Sequence, residues 1–260
     1  MNVMVFDIET VPDVHAGARL FGLEGLPDES VAEALFFDRR QKSGQDMLPL
    51  HLQRIVAISV VLRRADTLKV WSLGEAEAGE KELIHRFFQG VERFTPTLVS
   101  WNGGGFDLPV LHYRALHHRV SAPVYWEMGD TNTAFRYNNY VSRYHQRHTD
   151  LMDLLALYNN RAYVALDQMA GLLGYPGKLG MDGSKVWSAW CEGRIGEIRD
   201  YCETDVMNTF LVYLRFQHMR GQLSDSELDQ EEQRVRTFLE QNQDRKHWCD
   251  FLTHWSKLTT

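Results

Sequence analysis

The order of apolar segments along the first hundred residues constrains the fold of this chain most strongly. Residues 3–6 form a short apolar run that ends at Asp7, residues 54–63 are apolar and rich in β-branched side chains, and residues 67–73 alternate between apolar and polar side chains. We predict that these three segments are strands. Apolar residues at helical spacing follow over residues 80–94, and a fourth strand is predicted over residues 97–101. An antiparallel meander and a strand reached through a crossover helix together predict an α/β sheet.

The second half of the chain is predicted to be mostly helical. A helix over about residues 106–118 follows three glycines. Residues 148–158 are interpreted as a strand end that runs into a helix, and the longest predicted helix covers residues 195–216. We expect the chemistry of such a protein at the carboxyl ends of the strands.

The length of 260 residues fits one large domain or one domain with an insertion. We expect one domain over residues 1–220, with an insertion at about residues 12–49. A helical C-terminal extension over residues 221–260 is expected to pack on the same domain.

Charge, cysteine content and hydropathy narrow the class of protein. The net charge of −7 argues against an architectural DNA-binding protein but is compatible with an enzyme. Three cysteines without CxxC spacing indicate neither a zinc site nor a disulfide framework. The N-terminus lacks the features of a signal peptide, and no apolar run approaches the roughly 20 residues of a membrane-spanning helix. We therefore expect a cytoplasmic protein with no membrane partner, and the sequence identifies no protein partner.

Four acidic residues in three separate segments are the candidates for chemistry. Asp7 and Glu9 follow the first apolar run, and on a strand they point to one face while Ile8 points into the core. Two like charges on one face repel each other unless a cation lies between them. The alternative is a solvated strand end, which is the more common explanation for an isolated Asp-x-Glu pair.

The other two acids have similar structural alternatives. Asp107 follows three glycines that permit a ligand or another backbone to approach closely, but it is also a natural helix cap. Asp205 lies one helical turn after Tyr201 on the same face of the long helix, where the pair is equally explained by a hydrogen bond to a neighbouring loop. Converging buried carboxylates without an equal number of bases nevertheless favour a hard divalent cation, Mg²⁺ or Mn²⁺.

The combination is more specific than its parts. The chain resembles the DEDD 3′–5′ exonuclease superfamily in its tyrosine-bearing branch. The resemblance rests on Asp-x-Glu on a strand, Asn-xxx-Phe-Asp at a helix start and Tyr-xxx-Asp on a late helix. Within this superfamily, the chain is most similar to stand-alone predicted 3′–5′ exonucleases related to the proofreading domain of family B DNA polymerases. The resemblance covers roughly residues 1–220 and includes the segments LPLHLQRIVAIS, YHQRHTDLMDLL, YPGKLGMDGSKVW and IRDYCETDVMNT.

This resemblance implies a ribonuclease H-like fold with a central mixed five-stranded sheet flanked by helices. It also implies two divalent cations and release of nucleoside 5′-monophosphates from the 3′ end of single-stranded DNA or RNA. Asp7 would bridge the two ions, and Glu9 and Asp205 would help to hold the ion that binds the attacking water. Asp107 would steady the second ion, and Tyr201 would hydrogen-bond the water.

Contacts to the substrate are expected from three further regions. Thr10, Asn102 and Phe106 match family positions near the terminal nucleotide, although Phe106 is equally explained as a buried helix-start residue and Asn102 as the end of a turn. Lys178 and Lys185 lie in a Gly-rich loop and are candidates for phosphate contacts.

The third region, residues 136–148, interleaves basic and aromatic residues, the composition of a single-strand binding surface or of an exposed polar loop. Two other functions stay open on sequence grounds. One is a catalytically idle nucleic-acid binding module on the same fold. The other is an endonuclease or nucleotide-phosphate hydrolase at the same metal site.

Overall fold

A computed structural model describes residues 1–258 of the chain. Its strands are β1 (Asn2–Pro12), β2 (Gln53–Arg64), β3 (Thr67–Ser72), β4 (Thr97–Ser100) and β5 (His148–Asp150). Its α-helices are α1 (Val14–Phe21), α2 (Asp28–Ser43), α3 (Glu80–Phe94), α4 (Asp107–His118), α5 (Leu151–Leu155), α6 (Leu166–Leu172), α7 (Val186–Cys191), α8 (Ile195–Met219), α9 (Asp225–Gln241) and α10 (Lys246–Leu258). Each helix in this part of the chain is too short or too polar to cross a membrane.

The strands form one mixed sheet in the order β3-β2-β1-β4-β5. β1, β2 and β3 are antiparallel neighbours, whereas β4 pairs in parallel with β1 and β5 pairs in parallel with β4. The parallel pairs follow from the crossovers through α3 and α4, because a parallel neighbour cannot be reached by a tight turn. The predicted five-stranded α/β sheet of ribonuclease H-like type is therefore confirmed.

The first strand is longer than predicted. We expected it to end at Asp7, but β1 stays paired with β2 as far as Pro12. Its parallel pairing with β4 stops at Val5. The polar residues stay in the strand because β2 is long enough to supply hydrogen bonds beyond the last β4 residue. Asp7 and Glu9 consequently lie on a part of β1 that has β2 on one side and no strand on the other.

Both faces of the sheet are covered by helices. Side chains alternate along β1, so that Val3 and Val5 join one buried cluster and Met4, Phe6 and Ile8 join the other. The first cluster contains residues of α8, α9 and α10, and the second contains residues of α3 and α4. The long helix α8 is largely buried, which brings its N-terminal half against β1 and β2.

The segment interpreted as an insertion carries α1 and α2, which share a small apolar cluster of their own. The buried guanidinium of Arg114 on α4 connects this segment to the main body, because it pairs with Asp13 and with Glu80. The Glu80 carboxylate also accepts the backbone N–H of Ile55 at 2.7 Å. A single buried network thus connects the insertion, α3, α4 and β2.

The C-terminal helices pack on the face that α8 covers. Trp248, Phe251 and Trp255 of α10 are buried in the same cluster as α8. The buried Arg63 of β2 forms a two-point ion pair with Glu231 of α9. The division of the chain at residue 220 stays a prediction, but α9 and α10 contribute directly to the core.

Candidate active site

The four predicted acids converge at the edge of the sheet where β4 ends. The carboxylate of Asp107, at the start of α4, accepts the backbone N–H of Ile8 at 3.1 Å. Ile8 lies between Asp7 and Glu9, so this hydrogen bond fixes the start of α4 beside the free side of β1. Asp205 approaches from α8, and its charge raises the pKa of both Asp7 and Glu9.

β1 presents two carboxylates to the same side because side chains alternate along a strand. Ile8, between them, is buried in the cluster that contains α3 and α4. Asp7 is partly exposed, whereas Glu9 is only 8% exposed. A β-bulge between Glu9 and Thr10 shifts the pairing with β2 immediately after the pair. Bulges often redirect side chains next to functional sites.

The loop between β4 and α4 positions Asp107. Asn102 is in the left-handed conformation with a φ of 64°, which turns the chain sharply after β4. The backbone N–H groups of Asn102 and Gly104 donate to the carboxylate of Asp150 at 3.0 and 2.7 Å. Asp150 therefore holds this loop in place.

Neighbouring side chains leave no room for a Cβ atom at two of the three glycines of this loop. A Cβ atom at Gly103 would collide with the hydroxyl of Ser100, and one at Gly105 would collide with the side-chain oxygen of Asn102. We expected the glycines to admit a ligand or another backbone, and this stays a prediction, while at Gly103 and Gly105 the close neighbours are side chains of the protein. The loop is compact because polar side chains fold over it.

Asp107 does not cap its helix as the structural alternative proposed. The cap position of α4 is Phe106, and its side chain makes no capping hydrogen bond. The Asp107 carboxylate reaches across to β1 instead, and the residue is 4% exposed. A buried carboxylate that turns toward other carboxylates is costly, so this arrangement favours a role beyond helix capping.

Helix α8 adds three buried side chains to the site. Tyr201 and Asp205 share one face, and their side-chain contact lowers the pKa of Asp205. The thiol of Cys202 donates to the backbone oxygen of Asp7 at 3.4 Å and lies 3.5 Å from the Asp7 carboxylate. Sequence reasoning missed Cys202, because only the three-dimensional packing of α8 on β1 brings it to Asp7.

Asn208, one turn further along α8, holds the Gly-rich loop. Its side chain accepts the N–H of Gly177 at 3.1 Å and donates to the carbonyl oxygen of the same residue at 2.9 Å. This bidentate contact fixes the start of the loop beside Asp205. No local pattern in the sequence indicates this role of Asn208.

The electrostatics of the site are strongly unfavourable to the charged forms of the acids. Burial, followed by the charges of the other acids, raises the pKa of Asp7 and Glu9 well above their usual range. Burial also raises the pKa of Asp107 to about 7 and that of Asp205 to about 6. The positive charge of Lys178 lowers the pKa of Glu9 and of Asp205, but it does not offset burial.

The residues present fit a divalent cation. Ligand atoms of Asp7, Glu9 and Cys202 all lie within 4.8 Å of one another. Glu9 is more than nine-tenths buried, and burial together with the charges of Asp205 and Asp107 raises its pKa. Burying an ionised carboxylate without a partner is expensive, and a bound cation removes that cost. Oxygen ligands of this kind suit Mg²⁺ or Mn²⁺.

The residues that were predicted to contact the substrate differ in their exposure and in their bonding partners. Asn102 and Phe106 are half-buried in the loop before Asp107, and Phe106 packs partly against the core. The hydroxyl of Thr10 donates to Gln53 at 2.9 Å. Lys178 is exposed and acts electrostatically on the acids, whereas Lys185 pairs with Asp182 at 3.1 Å. Lys185 also lines a cleft beside Tyr201.

Comparison with known proteins adds independent information. Residues 45–255 match the model of a protein family described as predicted 3′–5′ exonucleases related to the exonuclease domain of PolB. Similar relatives include the DNA polymerase epsilon catalytic subunits A of Aspergillus fumigatus and Emericella nidulans. Each is 26% identical over 147 residues, which is 55% of this chain and 6% of the relative. The chain therefore spans a small part of the length of these relatives. Asp7 and Glu9 precede the residues that match the family.

Proposed function

Because the chain belongs to the family of predicted 3′–5′ exonucleases related to the exonuclease domain of PolB, we propose a specific activity for it. The chain removes nucleoside 5′-monophosphates one at a time from the 3′ end of single-stranded DNA or RNA, with the aid of divalent cations. The observation that carries this proposal is the convergence of Asp7, Glu9, Asp107 and Asp205, from three distant segments, with too few nearby cations to balance them.

Asp7, Glu9, Asp107 and Asp205 would hold two divalent cations, Mg²⁺ or Mn²⁺. Bound in pairs, such cations lower the pKa of a water molecule and stabilise the attacking and leaving oxygens of an in-line displacement at phosphorus. The carboxylates contribute by being fixed before the substrate arrives. Asp107 is anchored to the backbone of β1, and Asp7 is contacted by the Cys202 thiol.

Tyr201 is suited to orient the attacking water rather than to deprotonate it. Burial and the negative charges of Asp205, Glu9 and Asp7 raise the pKa of its phenol far above the usual value. The phenol therefore stays protonated at neutral pH and acts as a hydrogen-bonding group of fixed position. Because it lies one helical turn from Asp205, it can direct a water molecule held at the carboxylates toward the last phosphodiester.

The end of the strand would be held by the loop before Asp107 and by the Gly-rich loop. Asn102 and Phe106 lie within five residues of Asp107, and they would contact the terminal nucleotide. Lys178 contributes positive charge at the acids, which favours the approach of a phosphate group. Thr10 is bonded to Gln53, and it would have to exchange this partner in order to contact the nucleotide.

The proposal is tested with 5′-labelled single-stranded DNA and RNA, digested with Mg²⁺, Mn²⁺ or EDTA. We expect a metal-dependent ladder that shortens by one nucleotide at a time from the 3′ end. Asp205→Ala should abolish the ladder while circular dichroism shows an intact fold, and Asp130→Ala, an exposed loop acid, should leave it unchanged.

Other results would contradict the proposal in distinguishable ways. Tight binding of the strand with no product indicates the idle binding module. Internal fragments or free phosphate indicate an endonuclease or a phosphate hydrolase.

A further inference from the structure

The segment between α4 and α5 carries a charge opposite to that of the whole chain. Residues 131–149 contain three arginines, two histidines and three tyrosines but no acidic residue, in a chain of net charge −7. Tyr137 and Tyr144 are 83% and 78% exposed. Exposed aromatic side chains among uncompensated arginines are typical of surfaces that bind single-stranded nucleic acid.

Part of this segment lines a cleft of about 440 Å³ at the β5 edge of the sheet. Arg143, Tyr144 and Tyr158 line the cleft. Phe216 and Arg220, at the end of α8, line it as well. The cleft thus combines two guanidinium groups and three aromatic rings from separate parts of the chain. We call it the β5-edge cleft.

The two arginines of the β5-edge cleft are held by aromatic rings and not by acids. The guanidinium of Arg143 lies over the rings of Tyr144 and Tyr158, at 5.1 and 5.4 Å from their centroids. The guanidinium of Arg220 lies 5.3 Å from the centroid of the Phe216 ring. Among the described residues neither guanidinium is within ion-pairing distance of a carboxylate. Both charges remain available to an anionic ligand, and their positions are fixed by stacking.

The acids of this cleft are engaged elsewhere. Asp150 accepts the backbone N–H groups of Asn102 and Gly104, and Asp153 accepts the hydroxyl of Tyr163. Asp153 is close enough to favour the charged form of Arg143, but it forms no ion pair with it. The positive charge that the cleft presents is therefore only partly offset by its acids.

The cleft adjoins the proposed catalytic site. Gly104 lines the cleft, and the same loop reaches Asp107 three residues later. Three residues span at most about 11 Å. A single strand whose 3′ end lies at Asp107 can therefore reach the cleft within a few nucleotides.

We propose that the β5-edge cleft binds the part of a single strand that precedes its 3′-terminal nucleotides, through phosphate contacts to Arg143 and Arg220 and stacking of a base on Tyr144. The inference rests on the proposed exonuclease function and specifies its substrate. The preferred substrate is a single strand of several nucleotides, and dinucleotides are bound without the help of the cleft.

The test compares Arg143→Ala/Arg220→Ala with the control Arg19→Ala/Arg93→Ala. Arg93 is an exposed arginine stacked 5.1 Å from the ring of Phe94, on α3 away from the cleft, which matches the environment of Arg220. Binding of single-stranded oligonucleotides of 3, 6 and 12 nucleotides is measured in EDTA at several salt concentrations. Hydrolysis of the same set is then measured with Mn²⁺.

We expect the cleft variant, Arg143→Ala/Arg220→Ala, to bind the 12-mer at least tenfold more weakly than the wild type. Its affinity should also depend much less on the length of the oligonucleotide. The slope of log K against log salt should fall by about 1.4, because two phosphate contacts are lost from a single strand. Hydrolysis of the 3-mer should stay within about twofold of wild type. An Arg143→Lys variant should keep the salt slope but bind the 12-mer more weakly, because it loses the planar stack.

Two results would overturn the inference. One is unchanged binding of the 12-mer by the cleft variant, and the other is an equal loss in the control variant. Failure of the exonuclease proposal appears differently, since no oligonucleotide of any length would then be hydrolysed by the wild type. The binding series in EDTA still decides the role of the cleft in that case.

Discussion

Neutralising one acid of the candidate site should make the metal-free protein more stable. Asp205 is 8% exposed, and burial raises its pKa from an ordinary value of 3.8 to about 6. Each unit of pKa shift corresponds to about 1.36 kcal/mol, so the ionised carboxylate costs the folded state about 3 kcal/mol at pH 8. Asp205→Asn removes the charge and keeps the size and the acceptor oxygen that faces Tyr201.

The sign of the pH dependence follows from the direction of the shift. A carboxyl whose pKa is raised by folding favours the folded state at low pH, and this advantage is lost as the pH rises from the ordinary value of 3.8 to the folded value of about 6. Asp205→Asn should therefore be more stable than the wild type by up to about 3 kcal/mol at pH 8. The difference should remain nearly complete at pH 6 and fall below about 1 kcal/mol at pH 4.

The assay is urea unfolding in EDTA at pH 4, 6 and 8, followed by circular dichroism. Asp130→Asn, in an exposed loop, is the matched control and should change stability by less than about 0.5 kcal/mol. Excess Mn²⁺ should stabilise the wild type more than Asp205→Asn, because the variant has lost a ligand. Equal or lower stability of Asp205→Asn at pH 8, or a difference that does not vary with pH, would refute the reasoning.

Three further predictions follow from individual contacts. Tyr201→Phe should lower kcat by about 10- to 100-fold, since the hydroxyl that orients the water is lost. Mn²⁺ binding, measured by calorimetric titration, should not weaken. Loss of Mn²⁺ binding would contradict this prediction. Lys178→Met should move the acid limb of the pH–rate profile to higher pH by less than about one unit. The reason is that the variant loses the positive charge that lowers the pKa of Glu9 and of Asp205. A shift of the acid limb to lower pH would contradict this prediction. Glu231→Gln should reduce the free energy of unfolding by about 3 kcal/mol, measured in urea, because Arg63 is left as a buried unpaired charge; unchanged stability would show that α9 is not held by this ion pair.

The fold was largely accessible from the sequence because its signals are local. Helix α3 was predicted over residues 80–94 and is found there, since its apolar residues recur at helical spacing. The end of β1 was predicted wrongly at Asp7. A polar residue usually marks the end of a buried strand, but here β2 supplies hydrogen bonds beyond it. The length of a partner strand is a tertiary property that hydrophobic periodicity does not contain.

Only part of the candidate site could be predicted from the sequence. The common face of Asp7 and Glu9 follows from strand alternation, and that of Tyr201 and Asp205 from helical spacing. The bond from the Ile8 backbone to Asp107 joins residues 99 positions apart, and the approach of Cys202 to Asp7 joins residues 195 apart. Neither contact leaves a local pattern in the sequence.

The measurement that tests the central claim most directly is the identity of the first product formed in ¹⁸O-labelled water. A single-stranded oligonucleotide is incubated with the protein and Mn²⁺, and the reaction is stopped after less than one turnover for mass spectrometry. We predict a nucleoside 5′-monophosphate from the 3′ end with one ¹⁸O atom in its phosphate, and a shortened strand that ends in a 3′-hydroxyl. A 3′-phosphate on the shortened strand, or a first product longer than one nucleotide, would contradict the proposed attack of water at the terminal phosphodiester.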